Sequence, residues 1–162
     1  MIPTIHLTLG FLSLFSGFIV LNRRKGTIFH ISAGRVYVVS MLGLNITAFW
    51  IYRLFGGWGI FHWAALFSLA TIISGILVIL MKTKFKHPII MHYYFMVWSY
   101  VGLLSATSNE IFVHVPIFSK ISSQYPWLSM LSLAVITILG IILIPFNEKS
   151  TIKKYYDAWE IT

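Results

Sequence analysis

Six histidines stand in a chain that has only four carboxylates and no cysteine. Imidazole can ligate a metal as a neutral base and titrates near neutral pH, so these residues carry most of the chemistry open to the sequence. Three chemistries suit imidazoles held on different helices. The first is b-type haem, whose iron takes two axial imidazoles inside a four-helix bundle. His6 with His62, and His30 with His92, give two such pairs, with Lys25 and Arg35 placed to neutralise propionates. Two haems, one near each membrane face, would carry electrons across the bilayer. The second is a transition-metal site. His6, His62 and either Glu110 or His114 offer zinc three ligands and leave a fourth position for a water, which describes a membrane hydrolase. His92 with Met96 and the adjacent Met91 would instead suit copper. The third is proton or substrate handling without a metal, as in a small transporter, using histidine, Glu110 and the amides Asn45 and Asn109.

Each of these readings competes with a plainer one. A single histidine near a membrane interface is more often a hydrogen-bonded boundary residue than a ligand. His87, between Lys86 and Pro88, and His114, in a polar segment, fit that role. His6, His30, His62 and His92 have the better claim, because each faces a counterpart from another helix at equal height. The HExxH spacing of helix-borne zinc hydrolases is absent. Methionines beside a histidine most often fill a core, and Asn45 most simply joins helices by hydrogen bonds.

The elements that must position these residues follow from composition. The chain has 162 residues, of which 58% are hydrophobic and 10% charged, with a mean hydropathy of +0.85. A soluble domain needs roughly a quarter charged residues to cover its surface. Lipid must therefore be the solvent. Charged residues divide the chain into stretches that each hold one helix of about 20 residues. The expected spans are 3–21, 33–52, 60–81, 88–108 and 127–146, forming a single transmembrane domain over 1–162 with a tail at 147–162. No alternating barrel pattern is present. The first apolar stretch lacks a preceding basic region and a cleavage site, so a signal peptide is not expected. Helix 5 carries no histidine, and the reading is an all-α membrane protein with a four-helix core and one peripheral helix.

Orientation follows from the cations. Arg23, Arg24, Lys25 and Arg35, then Lys82, Lys84 and Lys86, then Lys149, Lys153 and Lys154 fall on one side, against Arg53 and Lys120 on the other. That bias places the amino terminus outside and the carboxyl terminus inside. It also explains the net charge of +8 without nucleic acid, since cations at helix ends meet anionic headgroups. Trp50, Tyr52, Trp58, Trp63, Tyr125 and Trp127 form an aromatic belt at the outer interface. Tyr155, Tyr156 and Trp159 belong to an amphipathic cytoplasmic tail. Small residues such as Gly10, Ser13, Ser16, Gly17, Gly43, Ser74 and Gly75 allow close helix contact.

The segment KGTIFHISAGRVYVVSM at 25–41, the early His6 with Gly10, and HYYFMVWSYVGLLSA at 92–106 together resemble a family of small bacterial multi-pass membrane proteins of unknown function. In that family a histidine opens helix 1. A lysine–glycine–histidine–glycine–arginine segment precedes helix 2, and a histidine–methionine–serine–tyrosine segment forms helix 4. Many members end helix 4 with arginine where this chain has Asn109 and Glu110. The resemblance covers helices 1 to 4 and implies a bacterial cytoplasmic membrane protein whose site uses His6, His30 and His92, without implying a reaction. The ligand pairing is also similar to that of transmembrane dihaem cytochromes b. The expectation is a haem- or metal-binding membrane protein serving electron transfer, with haem b, or else zinc or copper, as cofactor. Its expected partners are the lipid bilayer and a quinone or other redox carrier, within a homo-oligomer or larger complex. The competing expectations are the hydrolase or transporter and an assembly subunit of such a complex.

Overall fold

A chain in lipid must satisfy its backbone hydrogen bonds within each spanning segment, and long charge-free stretches answer that demand as helices. The computed structural model describes residues 1–51, 57–125 and 127–159, though not the side chains of 60 and 149–159. It consists of α1 (Ile2–Asn22), α2 (Ile28–Ala48), α3 (Ile60–Leu80), a 3₁₀ turn (Lys82–Lys84), α4 (Pro88–His114), α5 (Pro116–Gln124) and α6 (Trp127–Trp159). Five of these helices are long and apolar enough to cross a membrane, and no strand occurs among the described residues.

The first and third spans lie within a residue of expectation. The second begins at residue 28, not 33, because Thr27 caps it: its hydroxyl accepts the His30 amide at 3.2 Å. His30 therefore sits in the first turn of α2, not before it. The helix also ends early, at Ala48, where the Phe49 amide turns back to the Ile46 and Thr47 carbonyls. Tyr52 and Arg53 lie outside the described residues. The fourth span continues from 108 to His114 and is followed by α5, a short amphipathic helix that the apolar pattern did not reveal. The fifth runs on past Pro145 as helix to Trp159. The expected tail is thus a continuation of α6, and the side chains of Lys149, Lys153, Lys154, Tyr155, Tyr156 and Trp159 lie outside those described.

The chain forms two compact units, Met1–Ser99 and Tyr100–Thr162. In the first, α1 and α2 pack antiparallel along a seam of small and polar residues. Ser13 donates to Ser40 at 2.9 Å in its middle, with Ser13, Ser16, Gly17 and Ser40 buried. Two leucines interlock across it: Leu9 lies 3.0 Å from where a Cβ on Gly43 would stand, and Leu44 lies 3.7 Å from the same point on Gly10. One end of the seam is closed by His6 and Thr47. The opposite surface of α1 presents Phe11, Phe15 and Phe18, each more than half exposed. That is the arrangement lipid-facing aromatics require. A second face of α2, with Tyr37, Met41 and Asn45 buried, reaches α3 and α4. Asn45 donates to Ser68 at 3.2 Å, and the Tyr37 hydroxyl meets Ser99 Oγ at 2.8 Å.

In the second unit, residues 100–114 of α4 pack with α5 and α6. Ser108 donates to Ser132 at 2.9 Å, and Ser122 of α5 donates to the Phe112 carbonyl at 3.2 Å. Phe112 and Phe118 meet edge to face at 5.6 Å.

The connection between α1 and α2 is built from two residues. Gly26 adopts φ 77°, a left-handed conformation that a side chain disfavours. Lys25 Nζ turns back to donate to the Val20 and Leu21 carbonyls at 2.7 and 2.8 Å, filling the unpaired acceptors at the end of α1. Burial removes water from this ammonium and pushes its pKa below the usual lysine value.

Two outcomes are expected. A Cβ on Gly75 would stand 2.8 Å from Met96 Sδ and 3.3 Å from Phe95 Cβ, so Gly75→Leu forces α3 from α4. It should lose about 1–3 kcal/mol in thermal unfolding in detergent. Gly34→Ala, where nothing lies within 4 Å, should be neutral or slightly stabilising. For Lys25, the unfolded chain holds its proton to higher pH than the folded one. Apparent stability should therefore rise as pH climbs through the window that ends at the ordinary lysine value of 10.5. Lys25→Met should remove that slope, while losing the two carbonyl bonds and with them some stability at neutral pH.

Candidate functional site

The four leading histidines occupy the two ends of the first unit. His30, in the first turn of α2, and His92, in the second turn of α4, lie at the end that carries Arg23, Arg24, Lys25, Lys82, Lys84 and Lys86. His6 and His62 lie in the opening turns of α1 and α3, at the other end. The hydrogen bonds of each ring decide what its second nitrogen can do, because a neutral imidazole has one donor and one acceptor.

His92 Nδ1 is 2.8 Å from the Gly75 carbonyl. A carbonyl only accepts, so Nδ1 carries the proton and Nε2 the lone pair. His30 lies near the Val20 carbonyl at the end of α1, and its Nδ1 is buried with no hydrogen-bond partner. Lys25 and His92 both lie near this ring. The placement of the two histidines follows from helix register. His30 is seven residues before Tyr37, and His92 seven before Ser99; Tyr37 and Ser99 are hydrogen-bonded. Seven residues are about two turns and about 10 Å, so both imidazoles stand at one level on the faces where α2 and α4 meet. An imidazole whose N–H is held by a carbonyl, with the other nitrogen left basic, is the usual condition of a metal-ligating histidine.

The other end is arranged differently. His6 Nδ1 is 2.9 Å from Thr47 Oγ1. Thr47 already donates to the Gly43 and Leu44 carbonyls, so His6 is the donor and the pair ties α1 to α2. His62 Nδ1 accepts the Gly59 amide at 3.0 Å, which places its proton on Nε2. The ring is buried and stacks on Trp58 at 4.9 Å. It caps the start of α3 in a tautomer that offers Nε2 as donor, not as ligand.

Of the remaining candidates, Arg35 is exposed on α2 and His87 is exposed before α4. Glu110 and His114 belong to the second unit, where they form an exposed ion pair at 3.0 Å across one turn of α4. Among the described residues, no group of three or more His, Asp or Glu side chains is gathered to hold a metal. The second unit also contains an apolar cavity of ≈ 380 Å³ between Leu104, Ile111, Phe112, Phe118 and Ile136, with Thr107 and Ser108 as its polar lining. Both hydroxyls already have hydrogen-bond partners.

Pairing the histidines by height leaves out a pattern visible in the same letters. Residues 1–99 contain no aspartate and no glutamate. Whatever binds between α2 and α4 meets only neutral donors and cations from this unit. The separate roles of the two ends could not be read in advance, because they depend on which atom each ring nitrogen meets.

No curated protein and no solved structure matches the chain. A family model does, across residues 3–145, which takes in all five spans as far as Pro145. The chain thus belongs to the family described as "Predicted membrane protein (DUF2306)".

Proposed function

We propose that this membrane protein binds a redox-active metal, as haem iron or as a bare transition-metal ion, through His30 and His92, and serves electron transfer at the membrane. The observation that carries the reading is a pair of ring nitrogens left open at one level of the bundle: the Gly75 carbonyl holds His92 Nδ1–H and leaves Nε2 basic, and His30 Nδ1 is buried with no hydrogen-bond partner. Such pre-orientation fixes the tautomer without a carboxylate, which this unit lacks.

The donor set fits either group. Haem iron takes two imidazoles and brings two propionates of its own. Lys25, beside His30, has two of its three N–H groups on carbonyls and a third to offer an anion. Arg35 stands exposed on α2. The orphaned His30 Nδ1 is what an absent ligand would leave behind, since a buried polar atom without a partner costs roughly 1–3 kcal/mol. When bound, iron or copper supplies a one-electron couple; the residues described here supply position, tautomer and charge. With the basic loops in the cytoplasm, as their lysines and arginines favour, the site would lie near that face of the bacterial membrane. His6 and His62 then act as structural residues of the opposite end.

The test is direct. Protein purified in mild detergent should show either a Soret band that shifts on reduction or a transition metal in about equimolar amount by elemental analysis. His30→Ala and His92→Ala should each cut that content by at least about tenfold, the lower bound for losing even an outer-shell partner. His62→Ala should leave it unchanged while lowering thermal stability. A colourless, metal-free preparation that takes up neither haem nor metal ions on reconstitution would refute the proposal.

A further inference from the structure

We infer that the group held by His30 and His92 is a single cuprous ion, with the thioether of Met96 as its third ligand. The inference rests on the two-histidine reading above and names the metal and the donor that reading leaves open.

Met96 follows His92 by four residues, so the two side chains project from one face of α4. Both side chains reach Gly75 of α3, the histidine through its protonated Nδ1 and the methionine through its sulfur. His92 Nδ1 is 2.8 Å from the Gly75 carbonyl, and Met96 Sδ lies 2.8 Å from the point a Cβ on Gly75 would occupy. The bare glycine is what lets the sulfur approach the backbone beside the histidine. The level of the pair is set by α2, which brings the buried and unpartnered His30 Nδ1 to the same end.

The choice of ion follows from softness and charge. Zinc, iron(II) and manganese favour sites that include carboxylate, thiolate or several imidazoles. This chain has no cysteine, its first 99 residues have no carboxylate, and no third histidine joins the pair among the described residues. Imidazole with thioether is a neutral, soft set that selects copper(I). Charge points the same way. Lys25 acts on the His30 ring, and nothing acidic in this unit offsets it. At a given distance an ammonium repels a monovalent ion half as strongly as a divalent one.

The test is a copper(I) titration of metal-free protein in detergent under reducing conditions, against a chromophoric copper(I) chelator. One ion should bind per chain. Met96→Leu should weaken binding by at least about tenfold, the lower bound for losing even an outer-shell partner. Because that substitution also alters packing on Gly75, copper-edge X-ray absorption of the unaltered sequence gives a second reading. It should show one sulfur neighbour beside two nitrogens, and selenomethionine labelling should replace that sulfur with selenium. Binding of copper(I) with no sulfur or selenium neighbour and no effect of Met96→Leu would overturn the role of Met96 and leave the histidine pair standing. A stoichiometric haem would do the same. Failure to bind either group, or binding that survives both His30→Ala and His92→Ala, would overturn the pair itself and this inference with it.

Discussion

Water is scarce in the solvent around this chain, and that scarcity organises everything else in it. A hydroxyl or amide inside a bilayer has no bulk partner, so the buried hydroxyl and amide side chains of the first unit have been given one within the protein. Ser13 meets Ser40, Asn45 meets Ser68, Tyr37 meets Ser99 and His6 meets Thr47. Each pair joins two helices at one height, and together they fix the register of α1 through α4 more sharply than the surrounding leucines could. Apolar side chains slide past each other at small loss when lipid is as apolar as they are. The seam is not a proton path. Ser40, Thr47 and Ser99 spend their protons on carbonyls of their own helices, so the pairs end locally and do not connect into a chain.

This constraint also explains what could be read from the residue string. Number and class of the spans were legible, because a stretch of lipid length without charge has few other fates. Boundaries were legible where a charge, a proline or a glycine marked them. Pro88 opens α4 as expected. The start of α2 was hidden, since it is set by the Thr27 hydroxyl on the His30 amide and by the left-handed backbone at Gly26, neither of which registers in hydropathy. Short α5 was hidden for a related reason: an amphipathic helix of nine residues averages to a polar loop when read by composition.

The candidate site was half legible. Topology alone grouped the histidines by end and paired His30 with His92, and the fold brings those two to one level. It could not say that His6 would donate to Thr47 or that His62 would accept from the Gly59 amide. Rings with identical formulae are thus held in different tautomers. Rings that lean on a carbonyl keep a basic nitrogen for something else. A ring that accepts a backbone amide has already used that nitrogen, and its remaining proton makes it a donor. The difference lies in a single hydrogen position, set by which backbone group stands nearby. Backbone groups are fixed by helix ends and close approaches, such as that of α4 to Gly75, and not by residue type.

A bundle end with several lysines and arginines and no acid anywhere in residues 1–99 cannot stabilise a multiply charged cation by ordinary pairing. Lys25 shows the strain of the arrangement, since its ammonium is partly desolvated and finds carbonyls at the end of α1 in place of a carboxylate. A ligand that settles beside it must carry negative charge of its own, as a haem does, or carry as little positive charge as a metal can. Both choices keep the histidines neutral, because a protonated imidazole would add one more uncompensated cation and surrender the lone pair that binding needs. The same absence of carboxylates that keeps this end basic thereby restricts what the two imidazoles can hold.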